Sequence, residues 1–253
     1  MPDLRTIADV VTALDGVVRH CEQTGHRAGY FAALYKRMTE AVAEGIRTGA
    51  FADGPRMERL DVVFAGRYLS AWQAYGQQAA CAAAWRHAFD GCPNPGLIVL
   101  QHLLLGINTH INLDLAVAAA TVAPGPQIHA LEADFNRINA VISSLFDDVQ
   151  QCLAQVWLPM RWLGRVASSQ QTAVLNFSIG AARRAAWANA VVLAGLPPAR
   201  QQAHIGVLDA TVLGLGRRIS SPGLAAGALL RLVRLTEYED VARTIRLIET
   251  TRV

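Results

Sequence analysis

Residues 97–117 read LIVLQHLLLGINTHINLDLAV, and this stretch decides the fold. Its apolar residues cover most of a helical circumference, and in a soluble protein such a helix is surrounded by other helices. We therefore predict a buried helix over residues 95–122. Its polar residues, in the segment GINTHINLDL, are the strongest candidates for functional residues in the chain, because a buried polar side chain needs a hydrogen-bond partner.

The rest of the chain predicts an all-α protein, a multi-helix bundle around this central helix. Apolar residues recur at spacings of three and four rather than two in nearly every segment. Pro and Gly separate the segments, as in Asp53-Gly54-Pro55. No long polar linker is present in the sequence, so we predict a single domain over residues 1–253. The other predicted helices span residues 4–23, 27–49, 56–88, 127–157, 168–194, 198–217 and 222–251.

Composition narrows the possible functions. The chain has 253 residues, 52% of them hydrophobic and 17% charged, which favours a packed core over disorder. Its net charge of +3 comes without a basic stripe, so we expect no nucleic-acid partner. Because no apolar window is long enough and unbroken, we also expect no membrane span. The segment MPDLRTIADVV lacks the features of a signal peptide and the four cysteines form no CxxC pair, which together indicate the cytoplasm.

His110 and Asp114 lie one helical turn apart in the central helix and share a stripe with apolar residues. A carboxylate in that position can orient an imidazole and raise its basicity, which makes a general acid or base. The two side chains can also bind a divalent metal ion together. A third interpretation is a buried pair whose two side chains only hydrogen-bond to each other inside the core. The spacing leaves all three interpretations open.

Two more carboxylates, Asp61 and Asp134, lie on apolar helical stripes. A carboxylate without a partner in such a place destabilises the fold or shifts its pKa, so each needs a partner. If the three helices are neighbours, four side chains converge on one catalytic site: Asp61, His110, Asp114 and Asp134. A metal site would use His110, Asp114 and Asp134. No Glu-x-x-His pairs occur, which argues against a diiron centre and favours zinc, magnesium or no cofactor.

Further residues are expected to surround this site and bind a substrate. Arg183 can hold a carboxylate or phosphate through its planar guanidinium, or form an internal salt bridge with a buried Asp. Aromatic side chains supply a wall for an apolar ligand, or simply fill the core. The expected substrate-binding residues are Tyr68, Trp72, Asn108, Asn139, Arg183 and Trp187.

Four segments together resemble an uncharacterised family of helical bacterial proteins. They are GHRAGYFAALYKRMT, MERLDVVFAGRYLSAWQAY, QHLLLGINTHINLDLA and EADFNRINAVI, in this order. The hallmark of that family is a GINAHINxDL helix followed by a DFxxxN helix. The resemblance covers about residues 20–190, leaves the C-terminal helices of residues 198–251 outside, and implies no reaction. It emphasises the positions that match the recurring polar pattern: Asp61, Arg67, Tyr68, Asn108, His110, Asp114, Asp134 and Asn139.

These observations favour a small-molecule enzyme, in which His110, oriented by Asp114, is an acid or base. The expected substrate is small and largely apolar, and cyclisation, isomerisation and hydrolysis all fit such a site. The sequence has no Walker loop, GxGxxG, GxSxG or HExxH motif, which motivates a role in specialised metabolism. The alternative is a non-catalytic carrier of an apolar or anionic ligand, and a third possibility is a structural protein with a polar core. Ala-rich faces such as LAAGALLRLV also permit a homodimer.

Overall fold

The computed structural model describes residues 4–138 and 178–250, and within these two ranges the chain forms helices and turns but no strand. The N-terminal helices are α1 (Ile7–Thr24), α2 (Ala28–Arg47), α3 (Gly54–Gly76) and α4 (Ala83–Asp90). The central helix comprises α5 (Val99–Thr109), a π-helical turn (His110–Asp114) and α6 (Leu115–Val122). A 3₁₀ turn (Gly125–Gln127) leads to α7, described over residues 128–138. The second range contains α8 (Ile179–Gly195), α9 (Pro198–Ser220), α10 (Leu224–Arg234) and α11 (Val241–Thr250).

The predicted all-α bundle around a buried central helix is confirmed. The helices that surround the central one are α2, α3, α4, α8 and α9. Buried apolar side chains from all the labelled helices form one hydrophobic core. By length and composition residues 99–122 could cross a membrane, but core helices meet the same criteria, and 94% of the apolar window is buried among the other helices.

The predicted helix over residues 56–88 is wrong at its centre, where the chain breaks into α3 and α4. Gln78 adopts a left-handed backbone conformation with φ 58°, which ends the helical path. The new helix starts where the backbone N–H groups of Ala83 and Ala84 donate to the Asp209 carboxylate, at 2.7 and 2.9 Å. This cap comes from α9, so no local sequence pattern predicts it.

The predicted helix over residues 222–251 is also two helices, α10 and α11. Glu237, in the connection, is buried and accepts a hydrogen bond from the Val99 N–H at 2.9 Å. Asp240 caps α11 by accepting from the Arg243 N–H at 2.9 Å. The break therefore fixes the start of the central helix as well as the start of α11.

The other described helices begin and end within about four residues of the predicted positions, except that α8 begins at Ile179 rather than at residue 168. Ser178 caps this start by accepting from the Ala181 N–H at 3.2 Å. Parts of two predicted helices, residues 139–157 and 168–177, lie outside the described residues, as does Cys152. Among the described cysteines, Cys21, Cys81 and Cys92 are free thiols.

Two glycines let helices approach closely around the central helix. A Cβ on Gly106 would overlap the ring of Phe31, so this glycine brings α2 against α5. A Cβ on Gly29 would overlap Ile245 and Cys21, so that glycine lets α11 pack on α1 and α2. The first of these contacts places the Phe31 ring 5.7 Å from the His110 ring, next to the polar residues of the central helix.

Candidate active site

The central helix changes geometry where it carries its polar residues. His110–Asp114 form a π-helical turn, in which the Leu115 N–H donates to the His110 carbonyl five residues earlier. Such turns insert one extra residue into an α-helix and are frequent at functional sites. The π turn thus contains both members of the pair that the sequence singled out.

Asp114 is the centre of a buried hydrogen-bond network, and it is 1% exposed. Its Oδ1 accepts from Arg67 Nε at 2.9 Å, and its Oδ2 accepts from Trp85 Nε1 at 2.8 Å. The same Oδ2 lies 3.1 Å from His110 Nδ1. Donors from α3, α4 and the π turn therefore hold this carboxylate in one position.

This network fixes the hydrogen position on the His110 ring. A carboxylate oxygen can only accept, so the bond to Asp114 places the hydrogen on Nδ1 and leaves Nε2 as an acceptor. Burial lowers the pKa of His110, the Asp114 hydrogen bond and charge oppose that shift, and the Arg67 charge adds to it. The imidazole is therefore neutral at neutral pH and can accept a proton.

Aromatic rings of two helices pack against the imidazole. The His110 ring stacks on Phe64 with centroids 3.6 Å apart and an angle of 9° between the planes. The Tyr35 ring meets it at a steep angle, with centroids 4.3 Å apart. His110 is 3% exposed, and its Nε2 has no hydrogen-bond partner among the described residues. The imidazole ring is thus held in one position, and its Nε2 has no hydrogen-bond partner among the described residues.

The His110 side chain is part of the wall of an apolar cavity. The cavity volume is about 50 Å³, enough for a few water molecules or a small organic group. Because Nδ1 is directed to Asp114, which does not line the cavity, we infer that Nε2 is the ring nitrogen nearer to the cavity. The described residues that line it are Phe31, Tyr35, Met38, Thr39, Val42, Met57, Leu60, Asp61, Phe64, Ile107, His110, Ile111, Leu115, Ile138, Ile179 and Arg183.

Asp61 is the second ionisable group of the cavity. It is 7% exposed, and its Oδ2 has no hydrogen-bond partner in the described part of the chain. Burial, helped by the negative charge of Glu58, raises its pKa to about 7. The hydroxyls of Tyr35 and Thr39 line the same cavity, and neither makes a hydrogen bond of ordinary geometry within the described residues. Helices α2 and α3 and the π turn thus bring four polar side chains to the wall of one apolar cavity: Tyr35, Thr39, Asp61 and His110. Each has a polar atom that makes no ordinary hydrogen bond within the described residues.

Asp134 does not join this site. Its carboxylate accepts from the backbone N–H groups of Ala52 and Asp53 at 2.8 and 3.0 Å and from Arg56 at 3.3 Å. Burial alone would raise its pKa, but these three donors outweigh it and the pKa is lowered. Asp134 therefore anchors the connection between α2 and α3, and the expected convergence extends only to Asp61, His110 and Asp114.

The donor set does not fit the expected metal site. Asp134 is engaged elsewhere, and Asp114 already accepts three hydrogen bonds. Among residues 4–138 and 178–250, no group of three His, Cys, Asp or Glu side chains is placed to hold a metal ion. The ligand set of His110, Asp114 and Asp134 is therefore not assembled.

Arg183, on α8, lines the cavity as the sequence suggested. Its guanidinium donates to the Phe135 carbonyl at 2.7 Å and lies 4.6 Å from the centre of the Phe135 ring. Burial lowers its pKa to about 10. The internal salt bridge with a buried Asp is not formed within the described residues, where the guanidinium instead contacts this carbonyl and ring.

The other expected substrate-binding residues that the structure describes lie outside the cavity wall. Tyr68 is fully buried behind it, with its ring 5.2 Å from Phe31. Asn108 ties the central helix to α9 by donating to the Val212 carbonyl at 3.0 Å. Trp72 packs against Phe89, His20 and His26, and Trp187 packs against Phe135. Asn139 lies outside the described residues.

Several residues of the site had not been assigned to it from the sequence. Trp85 donates to Asp114, and its indole carries no periodic signal that distinguishes this role from core packing. Phe31, Tyr35 and Thr39 belong to α2, in a segment that contributed to the family resemblance without a named role. Arg67 entered only through that resemblance, and its contact with Asp114 gives it a function in the network.

The described residues therefore define an all-α bundle with a buried His–Asp pair beside an apolar cavity. The chain belongs to a family of unknown function, DUF5995, whose sequence model matches residues 7–222. The expected membership of an uncharacterised family is thus confirmed, over a wider range than the resemblance indicated. The match extends from α1 to the turn after α9 and includes every residue of the cavity wall. Neither a curated protein nor a solved structure matched the chain.

Proposed function

We propose that the cavity is the active site of a small-molecule enzyme, with His110 as its general base. The observation that carries the proposal is that His110 lines the cavity, with its Nδ1 held by Asp114 and its Nε2 without a hydrogen-bond partner among the described residues. A general base needs an unprotonated nitrogen within reach of a bound substrate, and this is the nitrogen available. The apolar wall of the cavity indicates a small, largely apolar substrate.

The network around Asp114 would support proton transfer. When Nε2 accepts a proton, the imidazolium is stabilised by the adjacent carboxylate, which keeps its position through Arg67 and Trp85. The stacked Phe64 ring keeps the imidazole plane fixed during the transfer. Asp61 would contact the polar group of the substrate from its own side of the cavity. Isomerisation, cyclisation and hydrolysis can each use such a transfer, and the donor set in the described part of the chain supports no step through a metal ion.

The alternative is a non-catalytic carrier of a small apolar ligand. The mainly aliphatic and aromatic lining favours this function too, because it would hold such a ligand without any reaction. A cytoplasmic location, a place in specialised metabolism and a homodimeric state are further proposals, which rest on the sequence.

We expect His110→Gln to lower the rate of substrate conversion by about 10²-fold or more, the usual contribution of a general base. The assay is a mass-spectrometric screen in which the purified protein is incubated with small apolar metabolites, and substrate loss is compared between variants. His129→Gln is the matched control, because His129 is exposed and does not line the cavity. Circular dichroism verifies that each variant is folded.

Two results would contradict the enzyme proposal. Conversion that survives in His110→Gln would remove this residue from catalysis. Ligands that bind to the wild-type cavity and are recovered unchanged would favour the carrier.

A further inference from the structure

Two polar atoms of the cavity wall, one on His110 and one on Asp61, are hydrogen-bond acceptors without a partner among the described residues. His110 Nε2 is an acceptor because Nδ1 carries the hydrogen, and Asp61 Oδ2 is an acceptor whenever the carboxyl is ionised. Neither atom has a partner among the described residues, and both side chains are more than nine-tenths buried. A ligand that pairs with these two atoms must therefore bring hydrogen-bond donors.

The charged groups near Asp61 leave it without a compensating cation. On its own helix Glu58 is a second negative charge, and α2 contributes only the neutral Tyr35 and Thr39. Arg183, from α8, lines the same cavity, yet no described arginine or lysine contributes to the pKa of Asp61. Within the described chain Asp61 forms no salt bridge. A cation that comes with a ligand would stabilise a buried carboxylate in this position.

The remaining wall suits an organic cation with an apolar body. Phe31, Tyr35 and Phe64 contribute aromatic rings, whose faces attract a cation. Aliphatic side chains such as Leu60 and Ile111 complete the wall and would contact the hydrocarbon part of the ligand.

We propose that the substrate is a small apolar amine, bound as its ammonium ion to the carboxylate of Asp61. The hydroxyls of Tyr35 and Thr39 provide further oxygen acceptors for the ammonium hydrogens. His110 Nε2 lies in the same cavity and takes the proton that the reaction releases. This inference rests on the proposed function, since it names the substrate class of the same site.

The test compares 3-methylbutan-1-amine with 3-methylbutan-1-ol, which has nearly the same size and no charge. Binding to the wild-type chain is measured by NMR titration between about pH 5.5 and 8.5. We expect the affinity for the amine to rise about tenfold per pH unit below pH 7, as Asp61 ionises, and then to level off. At pH 8 the amine binds at least about tenfold more tightly than the alcohol, whose affinity does not rise with pH. Equal affinities at pH 8, or an amine affinity that does not rise with pH, would overturn the inference.

Two variants separate this inference from the proposed function. Asp61→Asn is expected to remove the preference for the amine and retain the binding of the alcohol, which also verifies folding. Glu132→Gln, an exposed acidic residue on α7, is the control and keeps the preference. His110→Gln retains amine binding, so amine binding without conversion contradicts only the proposed enzyme. Conversion of a neutral compound by a chain that prefers no amine contradicts only the inferred substrate class.

Discussion

Replacement of Asp61 by Asn is expected to stabilise the protein at pH 8, by up to about 4 kcal/mol in the free energy of unfolding. The pKa of Asp61 is about 7 in the folded chain, against an ordinary value of 3.8. The folded state therefore binds the proton of Asp61 more tightly than the unfolded state does. Because Oδ2 has no partner among the described residues, the Asn side chain forfeits no ion pair.

The difference in stability between the wild-type chain and Asp61→Asn is expected to depend on pH. Below about pH 4 both states of the wild-type chain hold the proton, so wild type and variant differ little in stability. As the pH rises from about 4 to 7, the unfolded wild-type chain loses the proton first, and the wild-type stability falls relative to that of the variant. Urea unfolding at pH 4, 6 and 8 measures the difference. Asp90→Asn, at an exposed position, is the control, and a difference that does not grow with pH would contradict the account of Asp61.

Asp114→Ala is expected to destabilise the chain by about 3–5 kcal/mol, the usual effect of removing one member of a buried charged network. The substitution removes the acceptor of Trp85 Nε1 and His110 Nδ1, both of which are buried, and releases Arg67. Unpaired buried donors retain their full cost of desolvation, whereas the Arg67 side chain is 30% exposed and can turn to water.

A second substitution at the same position separates charge from volume. Asp114→Asn fills nearly the same space but offers one acceptor oxygen to three donors. We therefore expect it to lose most of the stability that Asp114→Ala loses. Urea unfolding at pH 7 gives both values, with Asp90→Ala as the exposed control, expected to change stability by less than about 1 kcal/mol. A loss below about 1 kcal/mol in Asp114→Ala would contradict the central position of this carboxylate.

The parts of the fold that apolar patterning specifies could be predicted from the sequence. The stretch over residues 97–117 is apolar on most of its circumference, and it becomes the buried central helix. The break near Gln78 could not be predicted, because its helix start is capped by Asp209 from a remote helix. The π turn was also missed, since a helical wheel at 100° per residue assumes α-helical geometry throughout.

The site was predictable where side chains pair within one helix and unpredictable where the partner is backbone or remote. The spacing of His110 and Asp114 was sufficient to predict their contact. Asp134 lies on an apolar stripe and is buried, as its pattern indicates, but its partners are two backbone N–H groups and an arginine. Asp61 has the same kind of pattern and no such partners, and only the packed structure distinguishes the two carboxylates.

The measurement that tests the central claim most directly is the protonation state of His110, by ¹⁵N NMR of histidine-labelled protein. The chain has seven histidines, and the signals of His110 are those that disappear in His110→Gln. The account predicts a neutral ring at pH 7 with the hydrogen on Nδ1, an unprotonated Nε2, and a pKa below the ordinary 6.5. A ring that carries its hydrogen on Nε2, or an imidazolium at pH 7, would contradict the claim that His110 is the general base of this cavity.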